Sequence, residues 1–189
     1  MIMINNNCKY WLGGFVEGEG SLTISIVKSD KAPYGVLIQP EFNVAQHVNG
    51  MTILNLYKLL FDNKGQIHKK SGSKNVWVYS LKGVKNLYNF IIPFFVEYVV
   101  PYSSKYKKYE FDKFVFILTK LKEKSNIKFE KKEFVVIIKL VYGLNPEGIG
   151  KRRKRTLSEI LHIIENKSFP CNAGESQGLS PALLGLGKI

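Results

Sequence analysis

Glu17 and Glu19 stand two residues apart in Trp11-Leu12-Gly13-Gly14-Phe15-Val16-Glu17-Gly18-Glu19-Gly20, directly ahead of the alternating run Ser21-Leu22-Thr23-Ile24-Ser25-Ile26-Val27. Carboxylates so placed can hold a hard divalent cation through oxygen. The apolar residues before them read as a helix, which puts both acids at its C-terminal end. There they face the negative pole of the macrodipole, a penalty of about 0.3–1 kcal/mol each. Interior glycines weaken the helix further, by roughly 0.8–1 kcal/mol each relative to Ala. Something outside the helix must compensate. A cation would use the carboxylates, and a second helix in close contact would use Gly14 and Gly18, small residues four apart. The alternative is a glycine-rich turn with solvated glutamates, and the helix before and strand after argue against it.

No other chemistry is legible. His47, His68 and His162 are unpaired by motif, Cys8 and Cys171 are far apart without neighbouring ligands, and no Ser/His/Asp arrangement occurs. Two lone cysteines imply neither a zinc site nor a disulfide framework, so a reducing compartment is expected. Lys and Arg number 28 against 15 Asp and Glu, a net charge of +13 that calls for a polyanionic partner. Apolar runs such as Phe134-Val135-Val136-Ile137-Ile138 are too short to span a bilayer, so no membrane partner is expected. Met1-Ile2-Met3-Ile4 lacks a basic start and predicts no secretion signal. The abundance of Lys, Asn, Ile, Phe and Tyr suggests an AT-rich genome, hence an organelle or a bacterial cytoplasm.

The elements that must position these groups read as helix, two strands, helix, two strands, then helices. In the first strand Leu22, Ile24 and Ile26 share one face and Ser21, Thr23 and Ser25 the other, with Lys28 at its end. Ser29 to Gly35 supplies a hairpin turn. The second strand, about Val36 to Gln46, turns Ile38, Phe42 and Val44 inward and Gln39, Glu41 and Asn43 outward, with Pro40 marking an irregularity or an edge. A short helix follows from Thr52 to Phe61. A second hairpin then joins Gly65–Lys70 to Asn75–Leu81 through Ser71-Gly72-Ser73-Lys74. An antiparallel meander with one polar face is predicted, and His68, Lys69, Lys70 and Lys74 fall on that side, a saddle able to lie along DNA. A helix over Val84 to Ile92 is expected to stop at Pro93. A longer one carries Phe111, Phe114, Val115, Leu118 and Leu121, another Phe134, Ile137, Ile138 and Val141. Gly143 to Gly150 breaks the pattern. The basic run Lys151 to Arg155 offers phosphate contacts ahead of Thr156-Leu157-Ser158-Glu159, a capping box opening the last helix.

Leu12 to Gly20 resembles the LAGLIDADG motif of homing endonucleases, with Gly at its second position and Glu at both acidic ones. The resemblance implies an α+β fold, an αββαββα core with an antiparallel DNA-binding sheet saddle, here with extra C-terminal helices. It also implies that Glu19, aided by the carbonyl of Gly18, binds the catalytic metal at the scissile phosphate. Oxygen ligands point to Mg²⁺, with Mn²⁺ or Ca²⁺ as substitutes for binding. Gln46, ending Phe42-Asn43-Val44-Ala45-Gln46, matches the family position that orders water beside the metal. Lys107, three residues before Glu110, matches the lysine delivered to the site, with Lys105 and Lys108 as neighbours in contention. Leu140 to Gly148 superficially resembles a second motif, but Pro146 would break the helix where the ligand must be presented. One motif implies one domain, residues 1–168, with a Gly/Ser/Pro-rich tail over 169–189. It further implies a homodimer meeting through Trp11, Gly13, Gly14 and Gly18. The function so implied is intron homing: cleavage of both strands of a long pseudo-palindromic double-stranded DNA site. The alternative is a maturase of the same descent that binds intron RNA to assist splicing.

Overall fold

The computed structural model describes residues 4–124, 129–144 and 154–167. The predicted break over Gly143–Gly150, most of the basic run, the motif-like stretch around Pro146 and the C-terminal tail fall wholly or largely outside these residues. Helix α1 spans Asn6–Glu19 and passes without a loop into β1, Gly20–Lys28. Its first turn is capped by Asn5, whose side-chain oxygen accepts the Cys8 N–H at 2.9 Å. Strand β2 is Val36–His47, followed by α2 at Met51–Leu60. Strands β3, Gln66–Lys69, and β4, Val76–Lys82, form the second hairpin. A helical run over residues 84–102, here α3, leads to α4 at Lys105–Glu123, α5 at Lys131–Tyr142 and α6 at Leu157–Asn166. The fold is α+β. Among the described residues no helix is long and apolar enough to cross a membrane.

All three strand pairings are antiparallel, in the order β1-β2-β4-β3. This departs from the expected meander. The second hairpin inserts its later strand beside β2, because α2 carries the chain back across the helical side before β3 begins. Pro40 pairs with Ile24 of β1 and lies one residue short of Glu41, where β4 starts to pair with β2. Its missing N–H therefore falls where β2 has no second neighbour. One sheet face is covered by helices. Phe42, Val44, Tyr79 and Leu81 on that face pack with Leu12 and Val16 of α1, Leu54 and Tyr57 of α2, Phe94 and Phe95 of α3 and Phe114 of α4. Tyr57 donates its hydroxyl to the Leu12 carbonyl at 2.7 Å, satisfying the one polar atom of an otherwise apolar contact. Burial pushes its phenol pKa up, so it stays a donor.

Pro93 does not stop its helix. The chain stays helical to Tyr102, with π turns over Leu87–Ile91 and Phe95–Val99 on either side of the proline. The Ile92 N–H reaches back five residues to Leu87. The wider turn leaves space for the pyrrolidine ring, and the helix continues where a regular α-helix would be broken.

A second apolar cluster holds the tip of the β1–β2 hairpin. Tyr34 and Val36 are buried against Phe134 and Ile138 of α5 and Ile160 and Ile164 of α6. Tyr34 stacks on Phe134 at 4.7 Å between ring centres and donates its hydroxyl to the Phe129 carbonyl. Gly35, at φ +73°, closes the turn, and a side chain there would strike Ile163. The capping box at Thr156 and Glu159 is formed as predicted, starting α6 in register for this contact.

Glycines on α1 serve two different faces. A Cβ on Gly13 would sit 2.1 Å from the carbonyl oxygen of Tyr98, so this residue is consumed by close packing of α1 on α3 within the chain. The expectation that Gly13 serves a partner subunit is thereby corrected. Gly14 and Gly18 have open space where a Cβ would point.

Glu17 ties α1 to α4. Its Oε1 accepts the Ser104 N–H at 3.2 Å, while Oε2 is buried without a hydrogen-bond partner. Ser104 is the N-cap of α4 and its Oγ accepts the Lys107 N–H at 3.2 Å, so the carboxylate sits at the positive end of that helix. Burial pushes the Glu17 pKa up. Hydrogen bonds from Ser103 and Ser104 and the charge of Lys107 outweigh it and leave the carboxyl below its usual value.

Two outcomes follow. Gly13→Ala should destabilise the protein by about 1–3 kcal/mol, the usual penalty of overpacking, whereas Gly14→Ala should be neutral or gain up to about 1 kcal/mol in helix propensity; urea unfolding of the two variants compares them directly. Because the folded Glu17 pKa is depressed, its contribution is present above the ordinary carboxylate value, about 4.3, and is lost as pH falls through the lower folded value. The gap in urea midpoint between the wild type and Glu17→Gln should therefore be open at neutral pH and close in acid.

Candidate functional site

Glu19 is the last residue of α1 and is exposed. The next residue, Gly20, pairs with Val44 as the first residue of β1. A Cβ on Gly20 would lie 2.6 Å from Val16 and 2.8 Å from its carbonyl oxygen, so only glycine allows so abrupt a change from helix to strand. The Gly20 N–H caps the helix by donating to the Val16 carbonyl. Glu19 is thus held at the rim of the sheet with no loop to let it wander.

Two other groups come to the same rim. Gln46 lies two residues past Val44 on β2, beyond the Gly20 pairing, and so at the end of the sheet from which α1 leaves. Its Oε1 accepts the His47 N–H at 2.7 Å, and its side chain fills the space above Gly50, where a Cβ would come within 2.4 Å. Lys107 extends from the first turn of α4 and donates Nζ to the Gly20 carbonyl at 3.0 Å, bridging 87 positions of sequence. Of Lys105, Lys107 and Lys108, all among the described residues, Lys107 is the one that makes this contact. Glu19 is thus the chain neighbour of the carbonyl that Lys107 reaches, and Gln46 lies on the adjoining strand two residues past the Gly20 pairing.

The oxygen donors at this rim suit a hard cation. Glu19 supplies a carboxylate, and the Gly18 carbonyl belongs to the last turn of α1, where carbonyls lack helical partners. Among the described residues no three His, Cys, Asp or Glu side chains gather into a closed metal cage. Glu17, the other acidic candidate, is engaged with Ser104 and leaves Glu19 as the available carboxylate.

The open face of the sheet carries rows of polar side chains. Ser21 and Asn43 lie abreast with the buried Ser80 beside them, then Thr23, Glu41 and Lys82, then Ser25 and Gln39. Glu41 and Lys82 form an ion pair at 3.5 Å. Asn43 donates to Thr23 Oγ1, and Thr23 to the Glu41 carbonyl, both at a long 3.4 Å. His68 pairs with Val78 and joins this face together with Gln66. Two expected members do not. Lys28 pairs with Val36 and Lys69 with Trp77, so the strand period of two turns both toward the helix-bearing side, at the margins of the sheet. Lys70 and Lys74 lie in the turn joining β3 to β4, where the Lys70 N–H donates to the Val76 carbonyl at 2.8 Å. Lys82 and Gln66 escaped sequence reading. Their face depends on the pairing of β4 with β2, and only the Ser80–Lys82 alternation hinted at it.

On the other side of α1, Trp11 is 51% exposed and stacks on Phe15 at 5.5 Å between ring centres. Trp11, Gly14 and Gly18 share this outward face, beside a shallow concavity lined by Tyr10, Gly14, Tyr98 and Tyr102.

Comparison with known proteins places this arrangement. Residues 12–116 match the family model described as LAGLIDADG endonuclease. The chain is 41% identical over 106 residues to DNA endonuclease I-CeuI of Chlamydomonas moewusii, covering 56% of this chain and 48% of that protein. It thus spans about half the length of that relative. It is 28% identical over 166 residues to Homing endonuclease I-ApeII of Aeropyrum pernix, covering 86% of this chain and 90% of the relative. The structure of the group I intron-encoded homing endonuclease I-CeuI complexed with DNA superposes with a TM-score of 0.76 at 28% identity, over 87% of this chain and 78% of that one. The archaeal intron-encoded homing endonuclease I-Vdi141I complexed with DNA gives 0.71 at 27% identity, over 83% and 94%. The match covers the helix, both hairpins and the start of α4 that together assemble the rim, and the chain belongs to the LAGLIDADG endonuclease family.

Proposed function

We propose that this protein is an intron-homing endonuclease that cuts both strands of a long, pseudo-palindromic DNA site as a Mg²⁺-dependent homodimer. The observation that supports the reading is Lys107 reaching the carbonyl next to Glu19 at the end of a polar sheet, in a chain of charge +13. Relatives solved with DNA support the same partner here.

The residues divide the work. Each hairpin is a two-stranded ribbon that the major groove admits, with polar rows to meet base edges, while Lys70 and Lys74 in the turn meet phosphates. A bound Mg²⁺ would stabilise charge on the phosphate and lower the pKa of a coordinated water. Glu19 and the Gly18 carbonyl would hold it. The Gln46 amide is placed to orient water at the rim. Lys107, already beside Gly20, offers a positive charge to the phosphate oxygens. One such set serves one strand. Two copies meeting across Trp11, Gly14 and Gly18 would bring two sets side by side, and like charge on the two Glu19 carboxylates would couple assembly to metal and DNA.

Glu19→Gln should lose cleavage and keep DNA affinity, and Lys107→Met should slow cleavage with little change in affinity. Lys70→Ala and Lys74→Ala should instead weaken binding and each reduce the slope of log affinity against log salt by about 0.9. Gel-shift titrations and plasmid cleavage, with Mg²⁺ and with EDTA, separate the two groups; wild-type cutting by Glu19→Gln would dismiss the metal assignment. Gly14→Leu should fill the open face of α1 and abolish assembly together with double-strand cutting, as sedimentation in the presence of DNA would show. A wild-type monomer that cuts both strands would refute the half-site reading.

A further inference from the structure

Beyond Pro40 the sheet narrows to two strands, since β4 pairs with β2 only from Glu41 onward. A two-stranded ribbon is marginal alone. Here its back is supported: Ile26 and Ile38 pack against the cluster of Tyr34, Val36, Phe134, Ile138, Ile160 and Ile164. The apolar needs of the tip are therefore met from behind. On the open front, Val27 and Leu37 pair directly across the strands and remain 39% and 42% exposed. They continue the line of Ser25 and Gln39, on the face that the proposed function lays against DNA.

An exposed apolar pair at the end of a polar reading face has a specific complement in the major groove. Of the four bases only thymine presents a methyl group there. We infer that Val27 and Leu37 recognise the 5-methyl group of a thymine in the outer part of each half-site. This specificity contact rests on the DNA-binding reading above. Val27 lies seven residues from Gly20, about 24 Å along the strand. At 3.4 Å of duplex rise per base pair and with the ribbon inclined to the axis, the thymine falls roughly five to seven base pairs from the site's centre.

Deoxyuridine differs from thymidine at this edge by the methyl alone, which makes it the probe. A preferred duplex is first selected by the wild-type protein from randomised DNA. Each thymine is then replaced singly by deoxyuridine, and binding is measured in Ca²⁺. One thymine per half-site, in the predicted interval, should bind about fourfold more weakly as uracil, the effect of losing one buried methyl-sized contact. The double variant Val27→Ser, Leu37→Ser removes every methyl from the pair, and both positions are partly exposed, so no core contact is lost. It should retain the wild-type unfolding midpoint and bind thymine and uracil duplexes equally. Absence of thymine from the interval, equal binding of the uracil duplex by the wild type, or persistent discrimination by the double variant would each overturn the inference while leaving DNA binding standing. A selection that returns no preferred sequence would overturn both.

Discussion

The change from helix to strand at Gly20, made without a connecting loop, is the constraint on which the rest of the structure depends. It is possible because Gly20 lies too close to Val16 for any side chain, and because its N–H closes the helix on the Val16 carbonyl. Leu12 and Val16 anchor α1 in the core from one side, and Gly13 lets the same helix press on Tyr98. With both ends so held, the position of Glu19 follows from backbone geometry and not from a mobile connection. A site built this way is pre-organised, which is what a reaction driven by charge placement requires.

Glu17 and Glu19 show how two like residues acquire different work from their surroundings. Helical rotation separates two consecutive-but-one side chains by about 200°. One therefore turns inward to Ser104 while the other stays at the rim. The inward carboxylate caps α4, and α4 in turn delivers Lys107 to the Gly20 carbonyl. The motif thus organises its own surroundings: one acid docks the helix that carries the lysine, and the other is the residue before the carbonyl that the lysine reaches. At the opposite pole of α4 the basic last turn suits the macrodipole, while Lys122 lies over the Tyr88 ring of α3 and Lys120 pairs with Glu123.

The two faces of the sheet are held in different ways. Its helix-bearing face is aromatic and closely packed, with Phe42 meeting Tyr57, Phe61, Tyr79 and Phe95 at centroid distances of 5.7–6.4 Å. Among the described residues its other face carries long hydrogen bonds and one ion pair, which a polar ligand can compete for at small expense. Helices α5 and α6 extend the support to the hairpin tip, where the sheet has become too narrow to be stable by itself.

Strand alternation, the capping box at Thr156, the turn at Gly35 and the motif at Leu12–Gly20 were legible in the chain because each is a local pattern with a local physical cause: side-chain period, orphan amides, positive φ. Those patterns determined the order of elements, the polar and apolar faces of β1 and β2, and which residues were candidates for the rim. Tertiary structure decided everything that depends on what lies opposite. It separated Gly13 from Gly14 because Tyr98 is against one and nothing against the other. It brought Lys107, from 87 positions away in the chain, to the Gly20 carbonyl. It also let a helix run through Pro93, since a π turn depends on packing that no local rule records. Sequence specifies which groups are present and how they repeat; contact between parts remote in the chain specifies which of them meet.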